Sequence, residues 1–264
     1  MPSILLRSLR DQQKSLLWWF LGIAILMLIT VLLYPSIGAA PEMEALFEDM
    51  PPAFQVFVGE IGDITSPEGY LNSQLFALMI PLLFMFYCIG QGSGSIAGEE
   101  AAGTMDLLLA NPITRTRVVL EKFGAMLAGG MVLGFATVFG LVVGALIVDM
   151  DITMSRLSEA TLVSLLVGYL FGGLALLLGC WTGRRSLSIG VSVGVGVATY
   201  LLNGFAVIIS WLEPYRFLSP FHYATSNDPL SNGLDLTDTL VLVAVAAVLL
   251  IGAVFTFERR DVQK

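Results

Sequence analysis

The side chains best equipped for chemistry are few and lie far apart in this sequence. Ser93 sits among glycines in Gln91-Gly92-Ser93-Gly94-Ser95, and His222 is the single histidine. A serine nucleophile needs its base within roughly 3 Å. The apolar runs between these two residues put them on opposite sides of a membrane, on the order of 30 Å apart, which excludes an intramembrane serine protease. Cys88 and Cys180 both fall inside apolar runs, so neither a disulfide framework nor a zinc set is implied. There is no G-x-x-x-x-G-K-[ST] phosphate loop, so any ATP must be bound by another chain. Asn72, Gln74 and Asn203 can hydrogen-bond inside apolar runs but cannot carry a proton by titrating near neutral pH. No apolar run holds a charge or a histidine, which disfavours a proton-coupled carrier. A sodium site built from backbone carbonyls would need broken half-helices, and no clear pair of them is visible.

One polar segment carries more pattern than a connection needs: GEEAAGTMDLLLANPITRTRVVLEK, Gly98 to Lys122. Glu99 and Glu100 are expected near the start of a short helix, where its dipole favours carboxylates. Met105 to Leu109 form an apolar turn, and Asn111-Pro112 ends it, because proline disfavours helix in the residue before it. Thr114 is expected to cap a second helix whose Arg115, Arg117 and Lys122 face the cytosol. The result is a transverse amphipathic helix that either lies in the membrane interface or docks into a groove on a cytosolic protein.

The elements that must position this segment are membrane helices. The chain has 264 residues, 56% hydrophobic and only 13% charged, against roughly 25% charged in a soluble domain. Six uncharged stretches can each cross the hydrocarbon core, which takes about 20 helical residues: 16–34, 71–90, 123–148, 162–181, 187–212 and 239–257. Backbone groups in lipid must be satisfied within their own segment, so these are helices. With both termini inside, 11 of the 13 basic residues fall on inner segments and 14 of the 21 carboxylates on outer ones. That asymmetry predicts an N-in, C-in orientation. The pI near 4.6 then reflects a solvated acidic outer face and not acidic partners. The apolar run at 16–34 is longer than the 7 to 15 residues of a signal peptide and reads as a retained helix.

Residues 1–15 suit a short surface helix on the inner leaflet, with Ile4, Leu5 and Leu9 on one face. The outer segment 36–70 is proline-rich and acidic, too short for a core of its own. A second outer segment, 213–238, offers aromatic residues for a headgroup-level belt or a partly re-entrant hairpin, with interfacial anchoring the preferred reading. Four glycine pairs spaced four apart, at 130/134, 140/144, 168/172 and 190/194, support close helix packing.

The inner segment resembles that of type-2 ABC export permeases, whose pattern runs E-x-x-x-G-T-[LM]-[DE]-x-L-L-x-x-P-[IV]-[ST]-R and then a lysine. Here the matching residues are Glu99 or Glu100, Gly103, Thr104, Met105, Asp106, Leu108, Leu109, Pro112, Ile113, Thr114, Arg115 and Lys122. The order of elements is also similar, ending on the basic Phe257-Glu258-Arg259-Arg260-Asp261. The resemblance implies a single permease domain over 1–264 with 98–122 as its cytoplasmic coupling segment. It further implies pairing with a second permease chain and with two ATP-binding-cassette subunits, which would hold ATP and Mg while this chain holds no cofactor. The fold class expected is an all-α integral membrane protein of the cell membrane. Its expected function is ATP-driven export of an amphipathic or hydrophobic compound, with no catalysis and no nucleic acid in this chain. The alternative is a non-transporting assembly or sensory subunit that uses the same docking helix.

Overall fold

A computed structural model describes residues 4–38, 66–105 and 113–260, and among these there is no β-strand. Six helices are long and apolar enough to cross a membrane. They are α1 (Ile4–Leu32), α2 (Pro67–Ala101), α3 (Arg115–Ile147), α4 (Met154–Thr182), α5 (Arg185–Ile208) and α6 (Leu236–Arg259). The expected spans all fall within or close to them. At about 1.5 Å per residue a helix as long as α3 measures about 50 Å, well beyond a hydrocarbon core of about 30 Å. Residues 98–101 and 115–122 of the described chain lie at the end of α2 and the start of α3.

The N-terminal segment, expected as a separate surface helix, runs unbroken into the first span. No glycine or proline interrupts residues 3–21, so nothing stops helix propagation there. One face of the extension is held by the bundle: Ile4 and Ser8 are buried, and the Leu5 N–H donates to Glu121 Oε2 at 3.0 Å.

The central helix is α4, buried on nearly all sides and packed against α2, α3, α5 and α6, while α1 lies along α3. Glycine sets these approaches. A Cβ at Gly168 would lie 2.8 Å from Phe84 Cβ, one at Gly140 2.5 Å from the Ala24 carbonyl oxygen, and one at Gly130 2.5 Å from the Tyr169 ring. The fourth pair differs. Gly190 and Gly194 face open space, because α5 buries the neighbouring stripe Ser188, Ser192 and Gly196 instead.

Two wide π-helical turns, Asn72–Phe76 and Gly94–Gly98, interrupt α2. A break at Ala77–Leu78 follows the first. Pro81 explains that break, since it has no N–H to offer the Ala77 carbonyl four residues back.

The segment before α6 both anchors and enters. Trp211, Tyr215 and Phe217 are exposed, as an aromatic belt requires. Phe221 by contrast is buried, its ring 5.9 Å from Phe171 and edge-on to Tyr200 at 5.2 Å. Fully buried Ser219 fixes the entry by donating to the Thr199 carbonyl at 2.8 Å. Interfacial anchoring is thus half of the answer, because burying Phe221 between α4 and α5 removes a whole ring from solvent.

Candidate coupling site

The α2 end is shaped by Gly103. Its φ of +69° is the left-handed region that glycine enters without a Cβ penalty. The Gly103 N–H donates to the Glu100 carbonyl at 3.0 Å, and the Thr104 N–H to the Glu99 carbonyl at 2.9 Å. This pair of bonds is a Schellman motif, which satisfies two carbonyls that a helix end leaves open. The Gly-Thr of the sequence pattern is therefore a helix stop. Beyond it, Met105 turns back and is 1% exposed, packed among Ile4, Ile96, Val118, Leu176 and Phe257. Met105 was expected on a docking surface; it anchors the segment to this chain's own core.

Glu99 and Glu100 thus lie at the C-terminal end of a long helix, not at the start of a short one. There the helix dipole opposes a carboxylate, and each is matched by a cation from a distant element. Glu99 pairs with Lys122 of α3. Glu100 pairs with Arg260 at 2.7 Å, just past α6. Arg260 also donates to the Cys180 carbonyl at 2.9 Å, so a single guanidinium joins the ends of α2, α4 and α6. Both glutamates are thus held in ion pairs.

The α3 start completes the cluster. Thr114 caps it as expected, its hydroxyl accepting from the Arg117 N–H at 3.3 Å. Arg115 donates to the Phe257 carbonyl at 3.0 Å and to the Arg260 carbonyl, and Thr116 bonds Glu258. Of the three basic residues expected to face the cytosol, only Arg117 is exposed, and it pairs with Glu121 at 2.6 Å. Arg115 and Lys122 are turned onto neighbouring helices by the unpaired carbonyls and carboxylates waiting there. A polar cavity of about 380 Å³ opens between α1, α2 and α3 at this level, bordered by Gln12, Gln91, Glu99, Lys122 and Arg185.

The structure therefore gathers Glu99, Glu100, Gly103, Thr104, Met105 and Arg115 at one end of the bundle. Asp106, Leu108, Leu109 and Pro112, with the coupling helix expected there, lie outside the described residues. Sequence reasoning passed over Arg260, taken only as a basic flank, and Gly183. Gly183 ends α4 at φ +64° and leaves room for the Arg260–Glu100 pair, since a Cβ there would lie 2.9 Å from Arg260 Cζ and 2.5 Å from Glu100 Oε2. The signal was a glycine two residues past the apolar run that ends at Trp181.

Ser93 belongs to this end too, fully buried and donating to the Gly90 carbonyl at 3.2 Å. His222 follows buried Phe221 in the segment before α6, at the opposite end. Burial, and then the charge of Arg216, hold its imidazole below the usual histidine pKa. Among the described residues no group of His, Cys, Asp and Glu could hold a metal ion.

Residues 4–262 match the family model described as "ABC-2 family transporter protein". The chain is also similar to a probable ABC transporter permease protein NosY of Pseudomonas aeruginosa, 28% identical over 170 residues, which is 61% of this chain and 59% of that protein. A probable ABC transporter permease protein NosY of Stutzerimonas stutzeri is 25% identical over 182 residues, 67% of this chain and 59% of that one. The aligned part thus spans somewhat over half the length of these curated relatives.

Proposed function

Because this chain belongs to the ABC-2 transporter family, and is therefore the multi-pass permease subunit of an ABC transporter, we propose that it exports an amphipathic or hydrophobic compound from the cell. ATP and Mg are held by two copies of a separate ATP-binding-cassette subunit, and this chain hydrolyses nothing. A second permease chain completes the assembly, seated on the open Gly190/Gly194 face of α5, where small residues allow close helix approach. The end carrying residues 98–122 faces the cytoplasm of the cell membrane, in keeping with its excess of Lys and Arg.

The observation that carries this reading is the pairing of Glu99 with Lys122 and Glu100 with Arg260. A push on the segment they flank reaches α2, α3, α4 and α6 together through short ionic and hydrogen-bonded contacts. ATP-driven closure of the partner would supply that push and tilt the helices toward the alternate opening. A binding change of this kind acts only if the partner holds the two states with different affinity.

Co-purification with the neighbouring ATP-binding subunit tests the coupling role. Leu108→Asp is expected to lose the partner by a hundredfold or more, since an unpaired charge in a dry contact costs several kcal/mol and each 1.4 kcal/mol is about tenfold. Gly103→Trp is expected to reduce coupled hydrolysis through its backbone, because the left-handed region costs an L-residue about 1 kcal/mol or more, while the Cβ itself meets nothing within 4 Å. Full retention of the ATPase with undiminished transport in both variants would sink the assignment. Orientation has its own measurement. Cysteines at Asp151 and Ser231 are expected to label from outside and those at Ser186 and Gln263 only from inside; the reverse pattern would invert the topology.

A further inference from the structure

At the end of the bundle opposite the coupling site, α2, α4, α5 and the segment before α6 enclose a cavity of about 560 Å³. Small-molecule sites commonly fall in the range of about 300–1,000 Å³. Part of the wall is apolar, from Phe76, Pro81, Ile208 and Phe221. The rest is charged or polar: Glu68, Asn72, Asn203, Arg216 and Asp228. We propose that this cavity binds an amphipathic zwitterion, a molecule with an amine and an acid group on an apolar body.

The charges argue for both halves of that ligand. Arg216 is oriented by Asn203, whose Oδ1 accepts from its Nε at 3.0 Å. Among the described residues no carboxylate lies within ion-pair distance of Arg216, and no Lys or Arg within that distance of Glu68 or Asp228. Asp228 Oδ2 accepts from Ser231 at 2.6 Å, but its Oδ1 is buried without a partner. Asp228 also holds a φ of +41°, a backbone strain of the kind that collects at functional sites. An anion alone would meet Glu68 and Asp228, and a cation alone would leave Arg216 unanswered. A zwitterion satisfies all three, and the apolar wall takes its body.

The shape of the cavity depends on the irregular start of α2. The first π-helical turn, closed by the Ala77 N–H donating to the Asn72 carbonyl at 2.8 Å, carries Asn72 and Phe76 into the wall. Such turns recur at functional sites because they displace side chains from the regular helical register.

Naming this ligand as cargo rests on the exporter reading; binding itself does not, and the test needs no ATPase. The full chain is placed in nanodiscs of phosphatidylglycerol. The probe is a lysophosphatidylethanolamine carrying a diazirine in its acyl chain, and adducts are mapped by peptide mass spectrometry. Adducts are expected on peptides containing Phe76 or Ile208. They should fall about tenfold or more in Arg216→Gln, the loss of a charge-assisted hydrogen bond, and be largely kept in Arg216→Lys. Asn203→Ala is expected to reduce them with the arginine intact, which guards against a variant that merely misfolds. Suppression by free O-phosphoethanolamine identifies a soluble zwitterion as the source, and its absence identifies a lipid headgroup. Equal labelling by the matching lysophosphatidylglycerol probe, unchanged in Arg216→Gln and Asn203→Ala, overturns the proposal.

Discussion

Gly172→Val is expected to leave no folded protein after extraction, while Gly190→Val yields a monodisperse chain at parental levels. The two glycines belong to the same kind of sequence pattern and differ only in what faces them. A Cβ at Gly172 would stand 2.7 Å from Met126 Sδ, 2.8 Å from Cys88 Cβ and 2.9 Å from the Cys88 carbonyl oxygen. Met126 can move aside, but the Cys88 backbone belongs to α2 and moves only if the whole helix does. Overpacking costs about 1–3 kcal/mol where side chains can adjust, and a backbone clash at the α2–α4 contact exceeds that. Lipid supplies no hydrophobic push to hold the separated helices together. At Gly190 a Cβ meets nothing within 4 Å, and valine has a better helix propensity than glycine. Its effect should appear only between chains, as reduced crosslinking of a cysteine pair placed on α5. Size-exclusion profiles decide the first contrast. A Gly172→Val chain that elutes like the parent would show that the α2–α4 approach is looser than described.

The second large effect is expected at the charge cluster. Arg260→Leu removes the only ion-pair partner of Glu100 among the described residues, at a site where the Glu100 side chain is 11% exposed and its Oε1 already lacks a partner. Breaking one side of a buried pair typically costs about 3–5 kcal/mol, because the remaining charge keeps its desolvation penalty. The lost bond to the Cys180 carbonyl adds to this. The double variant Glu100→Leu with Arg260→Leu should recover most of the loss, since an apolar pair of similar volume is often neutral or better. Thermal unfolding of the four proteins closes the cycle. If Arg260→Leu unfolds with the parent, the pair does not tie α2 to α6.

Much of the coupling site could be read from residues one at a time. Thr114 announces a helix start through local backbone chemistry and caps one, whereas Gly103, matched only as part of a family pattern, proves to be a helix stop. The glutamate doublet was misplaced by a whole element, because the apolar run ends at Gly90 while the helix continues to Ala101. Hydropathy marks where a helix leaves lipid and not where its hydrogen bonds stop. The same limit hid the continuity of α1, whose polar start is as helical as its apolar remainder.

The sequence alone determined six spans, a helical fold, and an arrangement that brings the start of α1 and the end of α6 to the same side as Glu100 and Glu121. These follow from hydrophobic length and from an even number of crossings, quantities that depend on residue type and order only. Tertiary structure decided the angular questions: that Gly168 and Gly172 face inward and Gly190 and Gly194 outward, that Phe221 enters the bundle while Phe217 stays at its rim, and that Glu99 meets Lys122 while Glu100 meets Arg260. On a helix that is apolar all round, no periodicity marks the buried face. That choice is made by the shapes and charges of the other helices.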